Sequence, residues 1–353
     1  MQYLESDPVR LDEDRENIIV IDQRALPEKL VFLKLNKAEE MYDAIKTLAV
    51  RGAPCIGVFA GYCIAILAKS VSGSFNEFRN KMAEYAGYLE NARPTAVNLS
   101  WALNRQMKLI ASMEKDKTES IREALMEEAV RIHEEDIGLC LSISEYGLSL
   151  LHDGDGILTH CNAGALATTR YGTGLGPILL GTKRGMRFHV YSDETRPLLQ
   201  GIRLSSYELA MAGVDETVIC DNMAGLVMKQ GRIDAVLVGC DRIAANGDVA
   251  NKIGTCTVAI LAKYYGIPFY VLGPYSTIDT DCASGDDIKI EERGSEEISS
   301  LWYERDFSVK GVKYYNPAFD VTDHSLITAI ITDKGILRPP FEKAIKEIRG
   351  AKK

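Results

Sequence analysis

Residues 234–255 read Asp234-Ala-Val-Leu-Val-Gly-Cys-Asp-Arg-Ile-Ala-Ala-Asn-Gly-Asp-Val-Ala-Asn-Lys-Ile-Gly-Thr255. The apolar, β-branched run that ends at Cys240 predicts a short strand buried on both faces. A polar loop with the turn signal Asn246-Gly-Asp248 follows, and the apolar spacing from Ile253 to Tyr265 predicts a helix. Parallel α/β sheets are built from such units and bind ligands at the carboxyl ends of their strands. Asp241 therefore occupies a position that suits a catalytic acid, although it suits a turn-forming or helix-capping Asp equally well.

The residues after this acid predict an anion site. Lys252 and the backbone amides near Gly254 and Thr255 lie at the start of the predicted helix. Unpaired N–H groups and the helix dipole attract negative charge there. An acid one loop away from an anion site suggests a phosphorylated substrate.

Composition narrows the class of protein. The 353 residues are 46% hydrophobic and 26% charged, which predicts a soluble, globular chain long enough for two domains. A net charge of -9 without any Lys/Arg run argues against nucleic-acid binding. No apolar run approaches the roughly 20 residues that span a bilayer, and the N-terminus lacks signal-peptide features, so we expect a cytoplasmic protein with no membrane partner. The eight cysteines show no C-x-x-C or paired-His spacing, so we expect no metal site.

The pattern of apolar residues divides the chain near residue 150. We predict an α/β protein with a smaller, mainly helical N-terminal domain, residues 1–150, that carries a short antiparallel sheet. For residues 151–353 we predict a Rossmann-like parallel sheet, because apolar runs alternate there with segments of helical spacing. The six runs are residues 156–160, 187–192, 216–220, 234–240, 267–272 and 326–331, and the helical segments are 163–180, 197–212, 223–229 and 253–265. No G-x-G-x-x-G follows the first run, so we predict no dinucleotide and expect no cofactor.

Two arginines in the N-terminal part precede Pro-containing turns at predicted helix starts. The first turn is Arg51-Gly-Ala-Pro54, and the second is Arg93-Pro-Thr95. An Arg beside a helix N-terminus can bind phosphate through its guanidinium and the adjacent amides. Each could also be an ordinary surface Arg near a turn, so the two motifs are suggestive only.

Cys161 follows the first run of the C-terminal part and opens a predicted small-residue helix, a position that lowers a thiol pKa. It suits a nucleophile, a base or a polarising group, while the alternative is a small buried residue at a tight turn. Neighbouring strand residues point to opposite faces, so we interpret His160 as structural. Gln200, after the second run, can hydrogen-bond sugar hydroxyls.

Seven motifs, in order along the chain, carry a resemblance to a known family. They are Val50-Arg-Gly-Ala-Pro-Cys-Ile-Gly57, Arg93-Pro-Thr-Ala-Val-Asn-Leu-Ser-Trp-Ala102, His160-Cys-Asn-Ala-Gly164, Asp193-Glu-Thr-Arg-Pro-Leu-Leu-Gln-Gly201, Gly239-Cys-Asp-Arg-Ile-Ala-Ala-Asn-Gly-Asp248, Asn251-Lys-Ile-Gly-Thr255 and Ile290-Glu-Glu-Arg293. With them the sequence resembles the methylthioribose-1-phosphate isomerase family from about residue 15 to 335. That family is related to ribose-1,5-bisphosphate isomerases and to the regulatory subunits of the initiation factor 2 exchange factor.

The resemblance implies a homodimer that interconverts an aldose 1-phosphate and a ketose 1-phosphate without an added cofactor, as in methionine salvage. It places Asp241 at the proton donor and Cys161 at the second catalytic group. The positions that match substrate-binding residues are Arg51, Gly52, Ala53, Arg93, Gln200, Asn251 and Lys252. A sugar phosphorylated on its anomeric oxygen opens by protonation of the ring oxygen, which requires an acid still protonated near neutral pH, such as a carboxyl in an apolar pocket.

Some positions depart from the family pattern, namely Arg170, Gly174, Ile202 and the Ser205-Ser-Tyr207 segment. They leave two substrates open, 5-methylthioribose 1-phosphate and 5-deoxyribose 1-phosphate. A non-catalytic binding subunit, like the initiation-factor relatives, is the alternative from another class. Retention of both Cys161 and Asp241 argues against it, because a binding subunit has no need for that pair.

Overall fold

The computed structural model describes residues 7–94, 96–306 and 308–350. The chain forms two compact units: the first comprises the residues up to Leu139 together with Ala165–Gly172, and the second comprises Cys140–Gly164 and the residues from Thr173 onward. This division differs from the boundary expected near residue 150. It falls inside a continuous helix, Thr118–Leu148, whose amphipathic spacing contains no break. Residues 165–172 return to the first unit, where Gly52 approaches the backbone of Ala167 too closely for a side chain.

The first unit combines a small antiparallel sheet with helices, as the sequence predicts. Its strands, in the order β1-β2-β3, are β1 (Val9–Leu11), β2 (Ile18–Ile21) and β3 (Phe32–Leu35). Its helices are α1 (Ala38–Lys46), α2 (Ala53–Ala68), α3 (Phe75–Glu90), α4 (Val97–Ser112) and α5 (Thr118–Leu148), of which α5 crosses the division. Helix α2 lies in the core, where every residue from Cys55 to Ala68 is buried. Gly57 permits its close packing on α4, because a Cβ there would lie 3.3 Å from the carbonyl oxygen of Asn98.

The second unit contains a seven-stranded sheet in the order β14-β13-β10-β7-β4-β5-β6. Its strands are β4 (Gly156–His160), β5 (His189–Asp193), β6 (Asp215–Ile219), β7 (Ala235–Val238), β10 (Phe269–Leu272), β13 (Ala329–Thr332) and β14 (Gly335–Leu337). The six predicted strands are all present and pair in parallel, and β14 adds an antiparallel edge. The helices are α6 (Gly176–Lys183), α7 (Ser206–Met211), α8 (Ala224–Lys229), α9 (Thr255–Tyr265), α10 (Glu296–Ser299) and α11 (Phe341–Gly350).

The loop predicted between residues 241 and 252 is instead part of a second, four-stranded sheet. That sheet has the order β11-β8-β9-β12, with β8 (Arg242–Ala244), β9 (Val249–Lys252), β11 (Ile278–Asp279) and β12 (Phe319–Thr322). Strands β8 and β9 form a hairpin whose turn holds Gly247 at a φ of +94°. The turn signal was therefore correct, but three-residue and four-residue strands are too short to show a period of two in the sequence.

Two predicted helices are only partly helical. Residues 163–180 contain a single 3-10 turn, Ala165–Ala167, before α6 begins at Gly176. Glycines interrupt this stretch, and Gly172 takes a φ of +85° that a continuing helix excludes. Residues 197–212 begin with a π-helical turn, Gly201–Ser205, which leads into α7. In residues 163–180, the many small residues suggested a helical propensity that this segment does not have.

Arg170 belongs to a buried polar cluster in the first unit. Its guanidinium donates two hydrogen bonds, 2.9 and 2.8 Å long, to the Asp7 carboxylate, and His133 Nε2 lies 3.3 Å from the same carboxylate. The Tyr62 hydroxyl is 2.7 Å from His133 Nδ1. Burial would raise the pKa of Asp7, but the hydrogen bonds from His133 and Arg170 outweigh it and lower that pKa below its ordinary value of 3.8.

We expect Arg170→Gln to lower the free energy of unfolding by about 1–2 kcal/mol at pH 7, since one charged partner of a mostly buried carboxylate is lost. The folded-state pKa of Asp7 is depressed, so its contribution is complete above pH 3.8 and declines as pH falls through the folded value. Urea unfolding at pH 7 and below pH 4 measures the difference. Arg184→Gln, which breaks an exposed bidentate pair with Glu145, is the control and should leave the free energy of unfolding close to that of the wild type. Equal effects of the two variants would contradict a specific role for Arg170.

No helix in the described part of the chain is both long enough and apolar enough to cross a membrane.

Candidate active site

The order of strands in the large sheet places Cys161 and Asp241 together at one point of its carboxyl edge. From β4 the chain proceeds through β5 and β6 on one side, and then β7 pairs with the other side of β4. The direction of strand addition reverses between β4 and β7, and parallel sheets bind ligands at such switch points. Cys161 directly follows β4, and Asp241 lies three residues after Val238, the last residue of β7. His160 and Val238 pair across these strands.

Asp241 is anchored by its backbone and carries an exposed side chain. Its amide donates a 2.9 Å hydrogen bond to the carbonyl of Ala250. The residue is exposed, whereas an apolar pocket was expected to keep this carboxyl protonated. Strand β8 of the hairpin begins at the next residue, Arg242.

Cys161 is partly exposed and held on both sides of its backbone. It takes a φ of +66°, its amide donates a 2.8 Å hydrogen bond to Thr195 Oγ1, and its carbonyl accepts a 2.7 Å bond from Ser205 Oγ. The expectation that it opens an α-helix is wrong, because a loop follows it. Burial raises the pKa of three other thiols far above the ordinary value, those of Cys55, Cys63 and Cys240.

His160 is buried beside this thiol, and both of its ring nitrogens are engaged. Nδ1 lies 2.9 Å from Asp193 Oδ2, and Nε2 lies 2.9 Å from the carbonyl oxygen of Ile253. A carbonyl only accepts, so Nε2 carries a proton. Burial alone would lower the pKa of His160, but Asp193 and Asp221 raise it above its ordinary value. Both ring nitrogens are used within the fold, which agrees with a structural role for His160.

Gln200, Asn251 and Lys252 are all buried in the second unit. Gln200 is 5% exposed, and its Oε1 has no hydrogen-bond partner within residues 7–94, 96–306 and 308–350. Asn251 Nδ2 donates to Thr255 Oγ1 at 3.1 Å, and Lys252 Nζ donates to the carbonyl of Ala318 at 3.0 Å. Both residues lie on β9. A buried amide oxygen without a donor is costly, so Gln200 is suited to accept a hydrogen bond from a ligand hydroxyl.

The anion site expected at the start of α9 is occupied by a carboxylate of the chain itself. Asp320 Oδ2 accepts from the amide of Gly254 at 2.7 Å, and Oδ1 accepts from the amide of Cys256 at 3.1 Å. Asp320 comes from β12, which pairs with β9. The prediction of free amides here was therefore wrong, because a residue 66 positions along the chain caps the helix.

Three predicted substrate-binding residues of the first unit, Arg51, Gly52 and Ala53, lie at the start of α2. Gly52 precedes this helix with a φ of +91°, no side chain among the described residues caps it, and its first turn contains no acidic residue. Arg51 Nη1 lies 3.4 Å from Gln23 Oε1, and Gln23 Nε2 donates to the carbonyl of Leu166 at 2.7 Å. Ala53 is the first helical residue. An uncapped helix start with an adjacent Arg suits an anion.

Arg93 lies between α3 and α4 and is partly exposed, with its amide 3.2 Å from the carbonyl oxygen of Glu90. Thr95, part of the same sequence motif, lies outside the described residues. Ala96 is the residue before α4, and its side chain makes no capping hydrogen bond.

In the part of the chain that the structure describes, two clusters contain side chains of the types that bind metals. His160, Asp193 and Asp221 form one, and Asp248, Asp323 and His324 form the other, with donor atoms within 4.8 Å of one another. In the first, both oxygens of Asp221 accept backbone N–H bonds. In the second, Asp248 accepts from His324, Asn246 and Gly285. The carboxylate oxygens of Asp221 and Asp248 therefore already accept hydrogen bonds within the fold. We interpret both clusters as anchors for the neighbouring backbone.

The sequence alone did not identify Thr195, Ser205 and Asp320 as residues that shape the candidate site. Thr195 and Ser205 hold the two sides of the Cys161 peptide, and Asp320 caps α9. The cluster of polar residues at the end of β5 was a signal for Thr195. No local signal exists for Asp320, because it acts on residues far from it along the chain.

Residues 49–339 match the Initiation factor 2 subunit family. A relative from Symbiobacterium thermophilum, named methylthioribose-1-phosphate isomerase, is 54% identical over 97% of this chain and 96% of its own. A relative from Petrotoga mobilis, named 5-deoxyribose 1-phosphate isomerase, is 52% identical over 97% of this chain and 98% of its own. The crystal structure of 5-methylthioribose 1-phosphate isomerase from Pyrococcus horikoshii OT3 aligns with a TM-score of 0.91 at 43% identity, covering 98% of this chain and 96% of that one. The chain therefore belongs to the Initiation factor 2 subunit family, among the members that are named as sugar 1-phosphate isomerases.

Proposed function

We propose that this protein is an aldose–ketose isomerase that converts 5-methylthioribose 1-phosphate to 5-methylthioribulose 1-phosphate, a reaction of methionine salvage. The observation that carries the proposal is the position of Cys161 and Asp241, which follow neighbouring strands at the switch point of the parallel sheet. Relatives at 54% and 43% identity bear the name of this activity. An acid and a thiol at one sheet edge suit a reaction that only moves hydrogen within a substrate.

In the first step, Asp241 gives a proton to the ring oxygen of the sugar. The bond between that oxygen and C1 breaks, the C4 hydroxyl forms, and the positive charge at C1 is shared with the phosphate ester oxygen. Since Asp241 is exposed in the chain alone, bound substrate must supply the apolar contacts that keep this carboxyl protonated.

The second step moves hydrogen from C2 to C1 and leaves a carbonyl at C2. In one route a Cys161 thiolate removes the C2 proton and returns it to C1 of the resulting enediol phosphate, while the C2 hydroxyl gives its proton to the Asp241 carboxylate left by the first step. In the other, hydride passes from C2 to C1 while the C2 hydroxyl gives its proton to the same carboxylate, and Cys161 stabilises charge. Both routes balance without an external oxidant or reductant, which agrees with an enzyme that needs no cofactor.

Each proposed substrate-binding residue has its own assigned role. We propose that Arg51, Gly52 and Ala53, at the uncapped start of α2, and Arg93 bind the phosphate. Gln200 Oε1, which has no hydrogen-bond partner among the described residues, accepts a hydrogen bond from a sugar hydroxyl. Asn251 and Lys252 orient the remaining polar groups of the substrate. Most of the reduction in barrier then comes from positioning.

A second substrate, 5-deoxyribose 1-phosphate, is favoured by the 52% identical Petrotoga mobilis relative. The residues that depart from the family pattern do not contribute equally to the choice between the two substrates. Arg170 binds Asp7, Ile202 is 41% exposed, and a Cβ at Gly174 would lie 3.1 Å from backbone atoms of Val238 and Gly239. Ser205 donates a hydrogen bond to the carbonyl of Cys161, a proposed catalytic residue.

We expect turnover of both sugar phosphates, because packing against a methyl or a methylthio group discriminates by only about 1–3 kcal/mol. The test supplies each compound separately to the purified protein and follows ketose formation by NMR. A kcat/KM ratio above about tenfold, or about 1.4 kcal/mol, identifies the preferred substrate. Failure to convert either compound would reject the isomerase and favour a bisphosphorylated sugar or a non-catalytic binding subunit.

We also propose a cytoplasmic homodimer, with the phosphate site in the helical N-terminal domain, residues 1–150, and the catalytic pair in the Rossmann-like domain, residues 151–353. The family resemblance supports these assignments. Light scattering of the purified protein tests the dimer, and a monomer mass would contradict it.

A further inference from the structure

Thr195 is a buried residue in an unusual backbone conformation beside the proposed catalytic thiol. It follows β5, is 0% exposed and takes a φ of +63°. β-branched residues rarely adopt this left-handed region, and such residues persist only where surrounding contacts hold them. Cys161, its hydrogen-bond partner, also has a left-handed backbone conformation, with a φ of +66°. Two non-glycine residues with positive φ are therefore hydrogen-bonded directly to each other.

The Thr195 hydroxyl has a defined orientation. It donates to the carbonyl of Asp193 at 3.0 Å, which turns a lone pair toward the amide of Cys161 at 2.8 Å. Without this acceptor the Cys161 amide would lose the partner that fixes the peptide entering the thiol residue. The opposite side of Cys161 is held by Ser205.

Asp221 in turn holds Thr195. Its carboxylate accepts from the amides of Thr195 and Arg196, each at 2.7 Å. Asp221 follows β6, the neighbour of β5. A connection therefore runs through three adjacent strand ends: the Asp221 carboxylate holds the Thr195 amide, and the Thr195 hydroxyl holds the Cys161 amide.

We propose that Thr195, supported by Asp221, is a positioning residue that sets the Cys161 thiol for hydrogen transfer. This role rests on the proposed function of Cys161. The hydroxyl touches the peptide and not the reacting atoms, so its loss should displace the thiol without removing a substrate contact. A misplacement of about 1 Å at a reacting group can lower the rate by about 10²-fold.

The test compares Thr195→Val, which keeps the shape and removes the hydroxyl, with Thr195→Ser, which restores it. We expect Thr195→Val to lower kcat by about 10–100-fold with KM within about threefold of wild type, and Thr195→Ser to recover most of kcat. Thr322→Val is the matched control, because Thr322 is also 0% exposed and its hydroxyl has no hydrogen-bond partner among the described residues. Its kcat should equal that of wild type.

A second readout is independent of turnover. The rate of Cys161 alkylation by iodoacetamide, measured by peptide mass spectrometry, should rise at least about threefold in Thr195→Val as the peptide is released. It should stay near wild type in Thr195→Ser and Thr322→Val. Circular dichroism verifies that each variant folds. If Thr195→Val does not fold, Asp221→Asn replaces it, because this variant loses one of the two carboxylate oxygens that accept from Thr195 and Arg196. It should lower kcat and raise the alkylation rate, as expected for Thr195→Val.

Wild-type kcat and alkylation in a folded Thr195→Val protein would overturn the proposal, as would a Thr195→Ser protein as impaired as Thr195→Val. If the wild-type protein converts neither sugar phosphate, the proposed function fails. The alkylation rates then still decide whether Thr195 positions the Cys161 peptide.

Discussion

Asp241→Asn should lower kcat/KM for the preferred sugar 1-phosphate by at least about 10³-fold. An Asn cannot donate a proton to the ring oxygen, and a positioned general acid contributes about 10² to 10⁴-fold. Ring opening has no alternative at C1, because the anomeric oxygen carries the phosphate and has no proton to lose. NMR detection of the ketose measures the effect. The substitution leaves the backbone N–H of Asp241, which donates to the carbonyl of Ala250, unchanged.

Asp281→Asn is the matched control for this variant. Asp281 is an exposed Asp of the same unit, and its amide bonds to Asp279. Its kcat/KM should lie within about twofold of wild type. An Asp241→Asn enzyme that keeps more than about one-tenth of wild-type activity would show that another group protonates the ring oxygen.

Cys161→Ser should lower kcat by about 10² to 10⁴-fold, with a smaller effect on KM. A hydroxyl is a far weaker acid than a thiol, so Ser supplies neither the thiolate base nor the same charge stabilisation. Cys256→Ser, at another partly exposed cysteine of the same unit, serves as the control and should retain wild-type activity. Full activity of Cys161→Ser would remove the thiol from the mechanism.

Substrate deuterated at C2 distinguishes the two routes of hydrogen transfer. Complete transfer of deuterium to C1 in ordinary water indicates a hydride shift, in which Cys161 only stabilises charge. Loss of deuterium to solvent indicates proton removal by the Cys161 thiolate. The geometry permits both, because the thiol is partly exposed at the sheet edge.

The sequence by itself determined the class of fold and most of the candidate residues. Six apolar runs alternating with helical segments are sufficient to predict six parallel strands, because strands buried on both faces need continuous apolar character. Cys161 and Asp241 could be identified because each directly follows such a run. The helices of the first unit were recognised in part. Helix α3, Phe75–Glu90, was missed although Ser74 and Glu77 form a capping box at its start.

Other features depend on contacts between residues distant along the chain, which local patterns do not record. The order of strands, and therefore the switch point between β4 and β7, follows from packing of the whole sheet. Asp320 fills the predicted anion site at α9, and residues 165–172 join the first unit instead of continuing a helix.

Asp241 and Cys161 illustrate the same difference between what local sequence predicts and what distant contacts decide. Spacing along the sequence located Asp241 after a strand but could not show that the residue is exposed or that the β8–β9 hairpin follows it. Likewise, it located Cys161 but not the hydrogen bond from Thr195 that holds its peptide. Residue types and periodicity reflect local preference and burial. Exposure, backbone strain and hydrogen-bond partners depend on which distant segments pack together, and only the tertiary structure decided them.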